Sequence, residues 1–420
     1  MNVELITIGG ELLSGHTLNT NAQFIGERLA EAGVALARQI SIPDDHEIIV
    51  SAIRESLGRA DWVIVSGGLG PTNDDVTKKA LARVFNRTLV FHDELLAMLK
   101  QRYTARGREP GPFLDTQAVQ PADAELIPNE VGSAVGIILT DSGKTLAAVP
   151  GVPREMRPMI AEHIVPKIAA QSKIGVVSRT WSTTGWPESR LYEVMESLIR
   201  DNPEVSFAFL PSELGVKLRF SAKGADAQTT LDRLTNLLGP RLEDAVYAKE
   251  DIGLQVVVGK MLRDRHMTIS LAESCTGGLL AKRLTDVPGS SAYLVSGHIV
   301  YSNQAKTDLL GVDPALIQEH GAVSEPVAIA MAEGAMERSH TDCAIAITGI
   351  AGPDGGTPEK PVGLVWVAVA LKNNETTTRE LRLMGDREMI RARAAQAGLN
   401  LLRLRLTQAA EQARLRQARP

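Results

Sequence analysis

Only two cysteines, Cys275 and Cys343, occur in the 420 residues. That excludes a disulfide scaffold and a four-cysteine zinc site, and it suits a reducing compartment. Aromatic side chains are scarce, with 7 Phe, 5 Tyr and 4 Trp, so no interleaved base-stacking surface stands out. A basic excess is also missing: 45 Lys+Arg stand against 50 Asp+Glu, a net charge of −5. Nucleic acid is therefore not an expected partner. The longest apolar stretch, 363–371, is too short to span a bilayer, so no membrane association is expected. The first basic side chain is Arg28, which leaves no charged start for a secretory leader. A cytoplasmic location is the expectation. What remains is an ordinary globular composition, 44% hydrophobic and 23% charged, with length for two or three domains.

Along the chain, the first third alternates strand and helix patterns. Residues 3–8, 34–42 and 62–65 read as strands, and 21–32 and 46–57 as helices; another helix is expected to start near Asp75. Later strands are expected at 135–139 and 145–149, with a closing helix over 153–168. Such alternation implies an α/β fold with a parallel sheet covered on both faces. The pattern weakens around 171–175, and a small α+β unit follows, with helices over 188–200 and 225–238. A second α/β block begins near Asp251 and ends in a helix over 387–406. The tail over 407–420, with Arg414, Arg416 and Arg419 against Glu411, reads as a frayed solvated helix end. Three domains are expected, at 1–172, 173–250 and 251–420.

Two loops carry chemistry. Ser66-Gly67-Gly68-Leu69-Gly70-Pro71-Thr72-Asn73-Asp74-Asp75 leaves a strand and enters a helix. Glycines allow close backbone approach and positive φ, and helix-start N–H groups favour an anion such as phosphate. The spacing is neither a Walker A loop nor the dinucleotide fingerprint. Asp74 and Asp75 can together hold a divalent cation bridging phosphate oxygens; equally, Asp74 can cap the helix while Asp75 meets its dipole. Glu11, Asn19 and Asn21 sit at a second strand end in the same block.

The second loop is Ala272-Glu273-Ser274-Cys275-Thr276-Gly277-Gly278, again between strand and helix. Its helix N–H groups, near 274–278, are placed to stabilise an oxyanion in acyl transfer. Two further polar turns, Tyr301-Ser302-Asn303-Gln304-Ala305-Lys306 and Thr348-Gly349-Ile350-Ala351-Gly352-Pro353-Asp354-Gly355-Gly356, also follow strands. Three such turns would converge at one sheet edge. A serine nucleophile needs a base, and a lysine serves if burial lowers its pKa. Cys275 is the rival nucleophile, but no histidine lies near it in sequence and packing is its simpler role; Cys343 reads as core.

The N-terminal segments Gly9–Gly15, Asn19-Thr20-Asn21, 66–77 and Pro150-Gly151-Val152-Pro153-Arg154-Glu155-Met156 resemble the molybdopterin-binding-type domain of the CinA family. The middle unit resembles that family's KH-like insert, although it has no GXXG loop, so it is read as a spacer or dimer contact. The second block, with Pro288-Gly289-Ser290-Ser291, Gly321-Ala322-Val323-Ser324, Lys360-Pro361-Val362-Gly363 and Gly385-Asp386-Arg387 beside the loops above, resembles the C-terminal CinA domain. The resemblance implies a nicotinamide-nucleotide amidase, converting nicotinamide mononucleotide to nicotinic acid mononucleotide and ammonia. In it, Ser274 is the nucleophile, Lys306 the base, and Tyr301 and Thr348 support that pair. Thr276, Gly277, Gly278 and Gly349 line the substrate, and Arg387 or Arg391 holds its phosphate. The N-terminal domain would bind ADP-ribose or a similar nucleotide through Gly67, Gly68, Gly70, Thr72, Glu11, Asn19 and Asn21. A divalent metal at Asp74 and Asp75 would promote its hydrolysis, and the amidase site would need no cofactor. A homodimer is the implied assembly. The family name also suggests a non-catalytic partner in competence or DNA repair, and the first domain's fold suggests molybdopterin chemistry.

Overall fold

The computed structural model describes residues 1–417 except 73, 106, 108, 110, 112, 173–175 and 243, and only the backbone over 411–417. The expected boundary at 171–175 and the charged side chains of the tail therefore fall largely outside the described residues. The chain divides into two compact units, Met1–Ser178 with Ser221–Leu231, and Arg179–Phe220 with Asp232–Pro420.

The first unit contains β1 (Val3–Ile8), β2 (Leu36–Ile42), β3 (Trp62–Ser66), β4 (Leu89–Phe91), β5 (Val119–Pro121), β6 (Glu125–Ile127), β7 (Gly136–Asp141) and β8 (Lys144–Val149). Six of them form one sheet in the order β2-β1-β3-β8-β7-β6, and β4 pairs with β5. The first four strands of that order run parallel; β7 and β6 are antiparallel additions at one edge. The sheet is thus mixed rather than wholly parallel, because the short turn between β7 and β8 allows only a hairpin. Both faces are covered. Ile6, Val63 and Val65 join one apolar cluster, and Val3, Leu5, Trp62 and Ile64 the other. That alternation is the two-residue period of a strand buried on both sides.

The closing helix runs Pro153–Pro158, makes a π-helical turn over Met159–Ile164, and continues to Gln171. Pro158 and Pro166 each lack an N–H, and a widened turn is a usual accommodation where the helical ladder is interrupted. The three-residue strands β4, β5 and β6 are too short to show a period in sequence.

A four-stranded sheet follows, β9 (Val176–Thr183), β10 (Val205–Ser212), β11 (Gly215–Lys223) and β12 (Val246–Ala248), ordered β10-β11-β9-β12. The helix Glu188–Asp201 buries Leu191, Met195 and Leu198, spaced for one face.

The last sheet contains β13 (Ile269–Glu273), β14 (Leu294–Ile299), β15 (Cys343–Gly349), β16 (Leu364–Leu371) and β17 (Thr377–Arg382), ordered β14-β13-β15-β16-β17. Strand β13 lies parallel to both β14 and β15, while β16 and β17 are antiparallel. One face of β15 carries Cys343, Ile345 and Ile347; the other carries Ala344 and Ala346. The alanine face, extended by Ala368 and Ala370, packs on the helix Glu325–Ser339 through Val327, Ala328, Met331, Ala332 and Ala335. Small side chains on both surfaces let the two backbones approach closely. No helix among the described residues is long and apolar enough to cross a membrane.

Candidate active site

Parallel strands leave their carboxyl ends at one edge. Ligands collect there at a topological switch point, where the connections diverge to opposite sides. In the last sheet that point lies between β13 and β15, flanked by β14. Ser274 and Tyr301 lie just past the ends of β13 and β14, and Thr348 sits in the last residues of β15, so the three polar turns do converge. Backbone bonds tie them together: Ser274 N donates to Ile347 O (2.9 Å) and Val300 N to Glu273 O (2.8 Å).

Ser302 caps the helix Asn303–Leu310 by accepting from Ala305 N, and this aims Lys306 inward from the first turn. Lys306 is 1% exposed and Ser274 8%. Lys306 Nζ lies 3.2 Å from Ser274 Oγ, 2.9 Å from Val300 O and 3.4 Å from Tyr301 O. No carboxylate pairs with this lysine among the described residues, and burial holds its pKa below the ordinary lysine value. A neutral amine donates to two acceptors and keeps one lone pair. With Val300 O and Tyr301 O taking its two donors, the lysine in its neutral form would keep that lone pair for the Ser274 hydroxyl proton.

Cys275 lacks the features of an activated thiol. It is buried, and desolvation pushes its thiol up to about 11; Cys343 is likewise pushed up to about 12. His298 is engaged with Ser296 and Ser339. We expect Cys275→Ala to keep catalysis within about threefold of the parent, since it removes packing and no reacting group. A loss as large as that of a Ser274 variant would reverse this assignment.

The helix after the nucleophile loop corrects one expectation. It starts at Leu279, and its free N–H groups are already occupied. The Glu273 carboxylate accepts from Gly278 N (3.0 Å), Leu280 N (3.0 Å) and Ala281 N (2.8 Å). The donors left for an oxyanion are the amides of Cys275 and Thr276, which bond no other described residue. Thr276 Oγ1 is also buried without a partner. Glu273 had no functional reading in sequence; a buried acid ending a strand before a Gly-Gly helix start was the available signal.

Thr348 donates its hydroxyl to Ala322 O (2.8 Å), and Tyr301 meets Lys306 through its carbonyl rather than its exposed ring. The Tyr301 hydroxyl accepts from Arg387 Nη2 (2.9 Å), and Arg387 Nη1 donates to Gly352 O (2.7 Å). Arg391 Nη2 donates to Thr276 O (2.7 Å). Arg387 and Arg391 of the last helix thus reach the nucleophile side. Gly277 and Gly278 hold φ of 58° and 91°, which glycine alone adopts easily. Gly349 has a packing reason, since a Cβ there would meet Val365 Cγ2 at 2.6 Å.

In the first unit the switch point lies between β1 and β3. Gly67 has φ 122°, and a Cβ would meet Ile8 O at 2.3 Å; at Gly68, with φ 66°, it would meet Thr77 Oγ1 at 2.2 Å. The helix starts at Thr77, near Asp75 as expected, but Val76 is its cap and neither aspartate caps it. Asp75 instead turns back on the loop, accepting from Gly70 N (2.8 Å), Thr72 N (2.8 Å) and Thr72 Oγ1 (2.6 Å). Asp74 is exposed, and so is Glu11, in the short helix Gly10–Leu13. Asn19 caps the helix Thr20–Glu31 through Ala22 N. Asn21 Nδ2 donates to Ser66 Oγ (3.0 Å) and Gly151 O (2.7 Å), leaving Oδ1 buried and unpartnered. Lys78, which no sequence pattern singled out, is buried with Nζ on Thr116 O (2.8 Å), and burial lowers its pKa to about 8. No group of three His, Cys, Asp or Glu residues suited to a metal occurs among the described residues. With Asp75 committed to the loop, this donor set fits a cation held chiefly by substrate phosphates, with Asp74 as the protein carboxylate, and not a protein-only cage.

Three family models match the chain: the CinA C-terminal domain over residues 251–406, a probable molybdopterin binding domain over 4–170, and the damage-inducible protein CinA KH domain over 178–248. A CinA-like protein of Gemmatimonas aurantiaca is 45% identical over 411 residues, covering 96% of each chain. One of Geotalea uraniireducens is 42% identical over 411 residues, covering 97% of this chain and 98% of that protein. Among solved structures, the competence/damage inducible protein CihA of Agrobacterium tumefaciens is 40% identical, covers 37% of this chain and 97% of its own, and superposes with a TM-score of 0.35.

Proposed function

We propose, from the premise that this chain belongs to the CinA family, that its last domain is a serine amidase acting on nicotinamide mononucleotide. The observation that carries the reading is the buried Lys306–Ser274 pair at 3.2 Å, at the switch point of the sheet. Ser274 Oγ attacks the carboxamide carbon while Lys306 Nζ takes its proton. The amides of Cys275 and Thr276 are the free donors for the tetrahedral oxyanion. Lys306 then returns the proton to the departing ammonia. Water hydrolyses the acyl-enzyme with the same lysine as base. Arg387 and Arg391 supply guanidinium groups for the phosphate. The test is ammonia release from nicotinamide mononucleotide by metal-stripped protein. Absence of turnover in folded protein overturns the reading.

The pH dependence follows from the base. Lys306 must be neutral, so kcat is expected to rise with pH and level off at a midpoint below the ~10.4 of an ordinary lysine. A flat profile between pH 6 and pH 10 (roughly the span on which a shifted lysine titrates) would argue that another group is the base.

A second reading concerns the first unit. The glycine turn at Gly67-Gly68 beside the switch point, and the unpartnered Asn21 Oδ1, an acceptor suited to a ribose hydroxyl, support a nucleotide diphosphate such as ADP-ribose at that strand edge. A metal ion there would supply charge neutralisation of the diphosphate, with Asp74 as its protein ligand. Gly67→Ala is expected to lower ADP-ribose affinity, read by calorimetry with and without magnesium, by about tenfold or more, because the Cβ forces the loop off Ile8. Unchanged affinity would remove the loop from the site.

A further inference from the structure

Residues Arg179–Phe220 and Asp232–Pro420 form one unit, and a cleft of about 480 Å³ opens within it, outside the Ser274 loop. Trp186, Leu381 and Leu383 give it an apolar wall, and Gln396 and Asn400, each 4% exposed, give it a polar floor. Gln396 Oε1 accepts from Arg283 Nη2 at 2.6 Å. A guanidinium only donates, so this bond settles which end of the amide is which. Gln396 Nε2 is then a buried donor with no acceptor. Such groups are few in folded proteins, and each calls for an explanation.

The charge balance points the same way. Arg283 is buried behind Gln396, its other hydrogen bond is to Gln255 Oε1, its Nη1 has no hydrogen-bond partner, and no carboxylate pairs with it among the described residues, where Tyr247 is its electrostatic neighbour. Arg379, on β17, lines the cleft, is exposed, and has no side-chain hydrogen bond or ion pair to a described residue. Arg393 also lines it and is held to Met384 O. Glu188, the first residue of its helix, and Glu213, in the turn between β10 and β11, line it too, but both are exposed. The uncompensated buried charge is therefore positive.

We infer that this cleft is a binding site for a small organic anion, a flat apolar ring carrying a carboxylate. The ring lies along Trp186 and the two leucines. The carboxylate accepts from Gln396 Nε2 and from Arg379. The volume is in the range of small-molecule sites, and the mix of apolar wall and few convergent polar groups is their usual make-up.

The test uses the full chain, with benzoate as probe and benzamide as its neutral isostere. Benzoate is expected to give a saturable change in tryptophan fluorescence that disappears in Trp186→Phe, while that variant still binds by ligand-observed NMR. Arg379→Ala is expected to weaken binding about tenfold, the usual cost of losing one charge-assisted contact. Gln396→Leu would strand Arg283 and risks the fold. Gln396→Glu keeps an acceptor for Arg283, removes the free donor and repels the anion, so it is expected to remain folded and lose benzoate binding. Three results would each overturn the inference: no saturable response at millimolar benzoate in folded parent protein, unchanged affinity in Gln396→Glu, or benzamide binding as tightly as benzoate.

Discussion

Replacing Ser274 by alanine is expected to lower kcat for nicotinamide mononucleotide by about a thousandfold or more, and Lys306→Met by about a hundred- to ten-thousandfold. The two effects should not add. Once either is gone the pair no longer works as a unit, so the double variant is expected to match the worse single one. Methionine is chosen at 306 because it fills the space of the buried lysine stem without its charge. Lys306 makes three hydrogen bonds but has no counter-charge among the described residues. An amine in that position is destabilising in its charged form, so Lys306→Met is expected to unfold at the same temperature as the parent or higher. Loss of catalysis with retained stability separates a catalytic lysine from a structural one. Retained catalysis in Lys306→Met would end the proposed mechanism, and a large drop in stability would make the lysine a packing element.

Glu273→Ala is expected to have the largest effect on stability. Its side chain is buried and takes three backbone N–H groups of the loop and the first helical turn. Removing it leaves buried donors without acceptors, each costing about 1–3 kcal/mol, so a total of about 3 kcal/mol or more is expected. Catalysis should fall with it, because the same loop carries Ser274 and the free amides of Cys275 and Thr276. Glu273→Gln retains one carbonyl oxygen and is expected to recover part of both losses. Urea unfolding and ammonia release on the same samples would decide it. A Glu273→Ala protein as stable as the parent would show that the helix start is satisfied in another way.

The motif loops were legible because glycine and buried strands leave strong local signals. Gly67 and Gly68 are needed where a side chain would strike Ile8 or Thr77, and the apolar runs of β1, β3 and β15 announce strands covered on both faces. Element ends were less legible. The helix expected near Asp75 is there, starting at Thr77, but the Asp75 carboxylate does not meet the helix start and is drawn back to Gly70 and Thr72, a bond that depends on a loop shape no period encodes. Lys78 and Gln396 gave no signal at all, since a helix pattern marks which face is apolar and not which polar group that face will swallow.

By itself, the chain's residue order determined the alternation of strands and helices, the positions of the glycine turns, and the presence of a serine and a lysine 32 residues apart at two strand ends. These are local properties, set by side-chain period and backbone freedom. The tertiary structure alone decided that the two meet at 3.2 Å, that burial holds the lysine's pKa below its ordinary value, and that Glu273 rather than a substrate takes the helix amides. It also decided that Asp75 serves its own loop and that Gln396 is left holding an unused donor. Distance and solvation are properties of packing between segments far apart in sequence, so they come into being only when the sheet brings those segments to one edge.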